Sequence, residues 1–311
     1  MLVELIKNVF NSFALEVLMI KLVLSDMDQT LKPAKNPTIS DRTHQAIKNL
    51  KSAGIAFGPA TGRSVYDALP YLTSDVSMTE TGIFGSGKLA YANGKLALKK
   101  AIPYEIMERI FEVIAPMGDV LISYCEEGPL QQPLDASFKS SWVVVGTTQE
   151  TIDYLISVSD AFVPVLGPKT IPLNTDFLAA GLLVPLDHAR QIEIISALKK
   201  AVPEIDLMCS YKGWYDINLH NWNKAQAYEV LIDSMGLSPE EVVVCGDSGN
   251  DIDLLKLAPH SCCMENGTEE AKAASAYLLP SVYEEGVAQL LEALTEAQGD
   301  FDAAVVQAVL K

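Results

Sequence analysis

A chain of 311 residues is long enough for two domains, each with its own hydrophobic core. Hydrophobic residues make up 49% of the chain and charged residues 20%, a globular composition that excludes a disordered or fibrous protein. Acidic residues outnumber basic residues by 40 to 23, and the net charge of -17 repels a phosphate backbone, so we expect no nucleic-acid partner.

The first 18 residues and the cysteines bear on the cellular compartment. Residues 1–18 are apolar, but Glu4, Lys7 and Glu16 interrupt them, so we predict an N-terminal extension and neither a signal sequence nor a membrane span. The cysteines form no Cys-x-x-Cys pair and no regular framework. A reducing cytoplasm is therefore the expected location.

The first predicted strand ends in two acids. Residues 21–25 form a short apolar run, and Asp26 and Asp28 follow it directly. Ligands of parallel α/β sheets gather where the strands end, and two acids at such a position favour a metal site. A pair of aspartates that only cap a loop is the alternative.

A βαβ unit continues the chain. A helix is predicted from the N-cap Ser40 to Gly54, followed by a strand over residues 55–60. The second strand also ends in a polar turn, so we expect Thr61 to lie beside Asp26.

Residues 79–99 are predicted to be strands, two of them joined by the turn Asn93-Gly94. We place a domain boundary after Lys99, because the pattern then changes. An inserted α+β domain is predicted over residues 100–212, with helices at 104–117, 150–157 and 187–201 and strands at 120–124 and 142–146.

The first domain is predicted to resume at residue 213. Its elements are strands at 214–219, 242–245, 262–264 and 277–279 and helices at 224–235, 284–297 and 303–310. The strand at 242–245 is again buried and ends in acids, with Asp247, Asn250 and Asp251 at the start of the next helix. The predicted fold class is α/β: a Rossmann-like parallel-sheet core domain (19–99 and 213–311) with an inserted α+β cap domain (100–212).

Four short motifs lie at these strand ends and at one helix start. They are Asp26-Met27-Asp28-Gln29-Thr30, Ala60-Thr61-Gly62-Arg63, Lys224, and Gly246-Asp247-Ser248-Gly249-Asn250-Asp251. In this order they resemble the four motifs of the haloacid dehalogenase-like phosphohydrolase superfamily. A cap inserted between the second and third motifs is similar to the Cof-like subfamily, and the resemblance covers residues 19 to about 292.

The resemblance implies a phosphoryl-transfer site. Asp26 would attack phosphorus and form an aspartyl-phosphate, and Asp28 would protonate the leaving oxygen and later take a proton from water. Asp26, Asp247 and the backbone carbonyl of Asp28 would hold Mg²⁺, since oxygen ligands suit that ion. Asp251 would support the metal site or Lys224.

The same resemblance implies a binding site for the substrate phosphate, formed by Thr61, Gly62, Lys224 and Asn250. Each residue also has an ordinary structural use. Thr61 could be only a turn residue, Lys224 only an exposed helix start, and Asp251 only an acid in a first helical turn. A surface arginine such as Arg63 is usually not catalytic.

The sequence departs from the family pattern at three places. Gln29 stands where glycine is common, and Ala225 follows Lys224 where glycine is frequent. The family's Asn-Gly-Ala turn before the cap has no clear equivalent, with Glu80-Thr81-Gly82 and Gly85-Ser86-Gly87 as the two candidates. None of these changes removes a predicted catalytic group.

The leading hypothesis is a Mg²⁺-dependent phosphatase of small phosphorylated metabolites, with sugar phosphates as one class. A phosphomutase of the same superfamily is the enzymatic alternative, and a receiver-like signalling module is the alternative of another class. The sequence predicts no membrane partner, and it does not indicate an oligomeric state or a specific substrate.

Overall fold

The computed structural model describes residues 19–146, 148–150, 153, 162–166, 177–211 and 213–309. The predicted N-terminal extension, and all of the predicted helix 150–157 except residues 150 and 153, lie outside them. Within the described residues, no helix is both long and apolar enough to cross a membrane.

The strands, numbered in chain order, are β1 (Leu22–Ser25), β2 (Ala56–Pro59), β3 (Gly82–Phe84), β4 (Leu89–Ala92), β5 (Lys95–Lys99), β6 (Leu121–Cys125), β7 (Trp142–Gly146), β8 (Phe162–Leu166), β9 (Ala180–Leu183), β10 (Ile205–Tyr211), β11 (Trp214–Leu219), β12 (Val242–Gly246), β13 (His260–Met264) and β14 (Tyr277–Leu279). The α-helices are α1 (Asp41–Ser52), α2 (Val65–Ala68), α3 (Tyr104–Ile114), α4 (His188–Ala201), α5 (Lys224–Met235), α6 (Ile252–Leu257), α7 (Glu269–Ala274), α8 (Gly286–Glu296) and α9 (Phe301–Ala308). Short 3-10 helices cover Leu69–Leu72, Val76–Thr79, Gly85–Gly87, Pro239–Glu241, Gly249–Asp251 and Val282–Glu284.

A five-stranded parallel sheet in the order β14-β13-β12-β1-β2 forms the centre of the fold. Its strand β1 is buried on both faces: Val23 packs in the cluster that contains residues of α1 and α8, whereas Leu22 and Leu24 pack in the cluster with α5 and α6. Burial on both faces explains why this strand is a continuous apolar run.

The helix α1 forms where its capping signals predict it. Ser40 is the N-cap and accepts a hydrogen bond from the backbone N–H of Thr43, and Ala46, Ile47 and Leu50 face the core. Gly54 follows in the left-handed region with φ of 87°. The predicted helix and its termination are confirmed.

A small antiparallel sheet, β3-β4-β5, follows the first βαβ unit. Its turn between β4 and β5 has positive φ at both Asn93 and Gly94, which is the geometry that the sequence predicts. A bridge between Ala60 and Ile83 joins this sheet to the end of β2.

A six-stranded sheet in the order β10-β11-β9-β6-β7-β8 contains the remaining strands. Its pairs are antiparallel except β7 with β8. Helices α3 and α4 cover one face, where Ile110 and Leu198 pack against Ile122, Leu182 and other strand residues. We call this face the helix face and the other the core face.

The predicted boundary at residues 212 and 213 does not coincide with the change of sheet. Strand β11 pairs with β9 and β10 and so belongs to the six-stranded sheet, and the return to the central sheet follows Leu219. The alternating pattern of residues 214–219 identifies a strand but not its sheet. We therefore propose a cap of residues 100–219. The fold class, α/β with a parallel central sheet and further sheets, is confirmed.

Candidate active site

Two neighbouring strands of the central sheet are followed by acids at the same edge of the sheet. β1 and β12 pair in parallel, and the backbone N–H of Asp26 donates to the carbonyl of Cys245 over 2.9 Å. Asp26 and Asp247 follow the ends of these strands and are only 6% and 7% exposed. The sequence-based expectation that the acids meet at one sheet edge is confirmed.

A carboxylate cluster forms from Asp26, Asp247 and Asp251, with one carboxylate oxygen of each within 4.8 Å of the others. Lys224, the first residue of α5, reaches into it and is 1% exposed. Its Nζ donates to Oδ1 of Asp26 and to Oδ1 of Asp251, both over 2.7 Å. Lys224 is therefore a buried ion-pair partner and not an exposed helix start.

The pKa values in the cluster reflect crowded negative charge. Burial raises the pKa of Asp26 well above its ordinary value, Lys224 acts against this, and Asp251 and Asp247 add to the rise. Burial and Asp251 raise the pKa of Asp247 to about 7, against the Thr30 hydrogen bond and Lys224. Lys224 itself has a raised pKa because Asp251 and Asp26 outweigh the effect of its burial.

The donor set of this cluster fits a magnesium ion. Of the three buried carboxylates, Asp26 and Asp251 pair with Lys224, and an added divalent cation would offset the remaining negative charge. Carboxylate oxygens are the ligands that Mg²⁺ prefers. The cluster contains the predicted ligands Asp26 and Asp247 and adds Asp251, which is predicted only to support the site.

Asp28 lies in a different environment. Its Oδ2 accepts from Nε of Arg63 over 2.7 Å, and its Oδ1 lies 2.9 Å from Nζ of Lys32. Burial acts to raise the pKa of Asp28, but the hydrogen bond and charge of Arg63, with those of Lys32, bring it below its ordinary value. The carboxylate of Asp28 is therefore held ionised.

The turn of residues 61–64 after β2 carries the second motif. Thr61 is buried, its Oγ accepts from the backbone N–H of Arg63 over 3.1 Å, and the backbone N–H of Ala60 donates to the carbonyl of Ser25. Thr61 thus lies beside the end of β1, as predicted. A Cβ on Gly62 would lie 3.0 Å from Oδ2 of Asp216 and 3.1 Å from Oγ of Ser86, so a larger residue would crowd both.

The fourth motif is ordered by Asp251. Its Oδ2 accepts from the backbone N–H groups of Asp247 and Ser248 over 3.0 and 3.2 Å. Asn250 is buried in the same turn, and its Oδ1 accepts from Oγ of Ser248. Asp251 consequently fixes the turn that presents Asp247 and also binds Lys224.

Sequence reasoning missed two cationic side chains of the site. The sequence pattern does not identify Lys32 as a residue of the site and is typical of a surface position for Arg63, yet the side chain of Lys32 is fully buried and that of Arg63 is 24% exposed. The signal for Lys32 is its spacing, four residues after Asp28 in a tight turn whose Gln29 has φ of 68°. Glutamine adopts here the left-handed conformation for which glycine is the more common residue.

The comparisons with known proteins agree with this geometry. The sequence profile described as haloacid dehalogenase-like hydrolase matches residues 23–291. The chain belongs to this family. The predicted superfamily and the prediction of an enzyme of the hydrolase class are confirmed.

Relatives extend over nearly the whole chain. The 5-amino-6-(5-phospho-D-ribitylamino)uracil phosphatase YbjI of Escherichia coli (strain K12) is 24% identical over 291 residues, which cover 91% of this chain and 99% of the relative. The solved structure of BT1666 from Bacteroides thetaiotaomicron has a TM-score of 0.71 at 20% identity, covering 90% of this chain and 97% of the other. That of the subclass IIB sugar phosphatase BT4131 has a TM-score of 0.68 at 19% identity, covering 88% and 98%. These structural similarities show a common fold.

Proposed function

We propose that the protein is a Mg²⁺-dependent phosphatase of small phosphorylated metabolites, including sugar phosphates, that acts through an aspartyl-phosphate on Asp26. The observation that carries the proposal is the pair of contacts from Lys224 to Asp26 and Asp251, with Asp247 in the same carboxylate cluster. The relatives' names, which include a phosphatase of a ribityl-linked phosphate and a sugar phosphatase, support the substrate class.

Asp26 attacks phosphorus as a carboxylate, so it must be ionised. Lys224 donates to one of its oxygens and holds that side chain at the sheet edge. The bond from Asp26 to phosphorus forms as the bond from phosphorus to the leaving oxygen breaks, which splits hydrolysis into two displacements. A bound Mg²⁺, held by Asp26, Asp247, the backbone carbonyl of Asp28 and Asp251, would supply positive charge that favours the ionised acids and the phosphate oxygens.

Asp28 serves both halves of the reaction in this proposal. The ion pairs with Arg63 and Lys32 keep it in the ionised form that takes a proton from water during hydrolysis of the aspartyl-phosphate. Protonation of the leaving oxygen in the first half requires Asp28 to carry a proton. These ion pairs must therefore weaken when the substrate is bound.

Three further residues complete the proposed phosphate site: Thr61 and Gly62 in the 61–64 turn, and Asn250 in the turn of the fourth motif. The backbone of the 61–64 turn, with Thr61 and Gly62, and the side chain of Asn250 would bind phosphate oxygens together with Lys224. Donors that are fixed by a fold need not reorganise when charge develops in the transition state. The cysteine pattern, with no Cys-x-x-Cys pair and no regular framework, supports the cytoplasm as the proposed compartment.

The test is phosphate release from a panel of phosphorylated metabolites, measured with Mg²⁺ and with a chelator. We expect release only with the metal and a phosphoenzyme that acid quenching preserves on the wild type. A steady rate in the presence of chelator, or turnover without any phosphoenzyme, would contradict the proposal. Transfer of phosphate to a second hydroxyl of the substrate would favour the phosphomutase.

A further inference from the structure

The core face of the six-stranded sheet points at the 61–64 turn. Cys125 and Asp216 belong to this face, because their chain neighbours Tyr124 and Ile217 pack on the helix face and successive strand residues point to opposite faces. Sγ of Cys125 lies 3.3 Å from Oγ of Ser64, and Asp216 accepts from Oγ of Ser86 over 2.8 Å. Both contacts cross from the sheet to the central domain.

A second line of contact lies on the other side of the carboxylate cluster. A Cβ on Gly249, in the turn that carries Asp251, would lie 3.3 Å from the backbone carbonyl of Cys209 in β10. The sheet therefore touches the central domain at the 61–64 turn and at the turn of the fourth motif. Because the carboxylate cluster lies at the same edge, the core face covers the proposed active site.

Two indole rings lie on the core face. Trp142 is paired with Cys125, and Trp214 precedes Asp216 by two residues, so both strand positions face the core. Their ring centroids are 5.3 Å apart with an interplanar angle of 79°, an edge-to-face pair. Both residues are only half-buried.

The indole of Trp214 is fixed by two neighbours. Its Nε1 donates to Oδ1 of Asp216 over 2.9 Å. A Cβ on Gly181 would lie 2.8 Å from ring atoms of Trp214, so the indole lies directly on the backbone of β9 and a larger residue there would displace it. A ring held in this way loses little further freedom when it contacts a ligand.

Asp216 links this ring to the 61–64 turn. Its Oδ1 accepts from Trp214, and its Oδ2 accepts from Ser86 and lies 3.0 Å from the position of a Cβ on Gly62. The backbone N–H of Ser86 in turn donates to the carbonyl of Thr61. A substrate whose phosphate lies against Thr61 and Gly62 would thus extend its alcohol part toward the indole pair.

The charge of the core face limits which groups the alcohol part of the substrate can carry. The core-face side chains that the structure describes include the acids Asp206 and Asp216 and no lysine or arginine. Lys88 reaches Asn218 from the central domain but is buried and also donates to the carbonyl of Gly85. A second anionic group on the substrate would meet unfavourable charge here.

We propose that Trp142 and Trp214 bind the flat ring of a phosphate monoester whose alcohol part carries such a ring and no second anionic group. This inference rests on the proposed phosphatase function and specifies its substrate class. Stacking against an indole favours a planar ring over a saturated ring of similar size, because the planar π face makes continuous contact. The indole pair therefore selects the substrate and takes no part in the chemical step.

Two matched esters test the proposal: 2-phenylethyl phosphate and 2-cyclohexylethyl phosphate. Both release a primary alcohol of similar size, so their chemistry is alike and only the planarity of the ring differs. We expect the wild type to prefer the phenyl ester in kcat/KM, and Trp142→Ala to lower the phenyl-to-cyclohexyl ratio by up to about tenfold. Trp142→Phe should retain most of the preference.

Two controls keep the result interpretable. Ile192→Ala removes an exposed apolar side chain from α4, on the helix side of the sheet, and should leave the ratio unchanged. Calorimetric binding of both esters to Asp26→Asn measures ring selectivity without turnover. An equal affinity for the two esters, or the same ratio in Trp142→Ala as in the wild type, overturns the ring-binding proposal. Ring-selective binding with no hydrolysis by the wild type in Mg²⁺ overturns the proposed function instead.

Discussion

Asp26 and Asp28 follow the same strand two residues apart, yet their carboxylates lie in opposite electrostatic surroundings. Asp26 shares Lys224 with Asp251 and lies close to the carboxylate of Asp247, and its pKa is raised, first by burial. Asp28 is paired with Arg63 and Lys32, which together hold its pKa below the ordinary value despite burial. One strand end thus provides two acids with different properties, because the neighbouring charges and not the residue type set them apart.

The largest effect is expected at Asp26. In Asp26→Asn the amide keeps the volume of the side chain but cannot form the aspartyl-phosphate, so we expect the turnover rate to fall by about 10⁴-fold or more. Phosphate release and acid-quench trapping of the phosphoenzyme measure it, with circular dichroism as the control for folding. A folded variant that keeps a rate near the wild-type rate would refute the covalent mechanism.

Asp28→Asn should lower the turnover rate less than Asp26→Asn does. It removes a proton carrier and not the nucleophile, so we expect a loss of about 10² to 10⁴ in turnover. Added Mg²⁺ should not restore the rate, since the carboxylate of Asp28 pairs with Arg63 and Lys32 and lies outside the carboxylate cluster. A Mg²⁺ titration of the variant checks this, and recovery at high Mg²⁺ would assign Asp28 to the metal.

The leaving group sharpens the same prediction. p-Nitrophenol needs little protonation to depart, so formation of the phosphoenzyme from its ester should suffer less in Asp28→Asn than formation from an alkyl phosphate. Pre-steady-state release of p-nitrophenol measures the first step, and the slow steady-state rate reports hydrolysis of the intermediate. An identical loss with both leaving groups would contradict the role of Asp28 as an acid.

Asp247→Asn should fail in a third way. It removes a charge from the carboxylate cluster, so we expect the Mg²⁺ concentration for half-maximal rate to rise by at least about tenfold, with partial recovery at high Mg²⁺. The asparagine can still accept the hydrogen bond of Thr30, which keeps the side chain in place. Equal responses of Asp247→Asn and Asp28→Asn to Mg²⁺ would remove the distinction between the two groups of acids.

The carboxylate cluster could be predicted from sequence, whereas the ion pairs of Asp28 could not. Parallel strands end at one sheet edge, so the acids that directly follow β1 and β12, Asp26 and Asp247, lie close together irrespective of the loop conformations. The position of Lys32 depends instead on a tight turn in which Gln29 is left-handed, and that of Arg63 on the turn after β2. Such contacts are set by loop conformation, which the hydrophobic pattern does not specify.

The cap shows the same limit on a larger scale. The alternating residues 214–219 predict a strand, but the sheet that it joins depends on its pairing with β9 and β10, which the pattern of a single strand does not specify. The indole pair follows from that pairing. The ring centroids of Trp142 and Trp214 lie 5.3 Å apart only because the six-stranded sheet places both residues on its core face.

Glu127 tests the comparison away from the catalytic acids, with the smallest expected effect. Its carboxylate oxygens are buried, and the neighbours that act on it are the Ser64 hydroxyl and the Asp67 carboxylate. Burial first, and then Asp67, raise the pKa of Glu127 from 4.5 to about 8 against the opposing effect of the Ser64 hydroxyl. It thus resembles Asp26 and contrasts with the arginine-paired Asp28.

The sign of the pH dependence follows from linkage. Between pH 4.5 and about 8 the folded protein holds the Glu127 proton more tightly than the unfolded chain, so the contribution of Glu127 to the free energy of unfolding falls as pH rises. Glutamine does not titrate, so Glu127→Gln does not lose stability in this pH range. We expect its free energy of unfolding to exceed that of the wild type by about 1 kcal/mol or more at pH 8.5, and by less at pH 5.5. Urea unfolding at both pH values measures this difference.

The matched control is Glu126→Gln, a substitution of the exposed neighbouring glutamate, and its stability should equal that of the wild type at both pH values. If the stability of Glu127→Gln also follows the wild type at both pH values, burial does not raise the pKa of this carboxyl, and the same explanation for Asp26 loses its support.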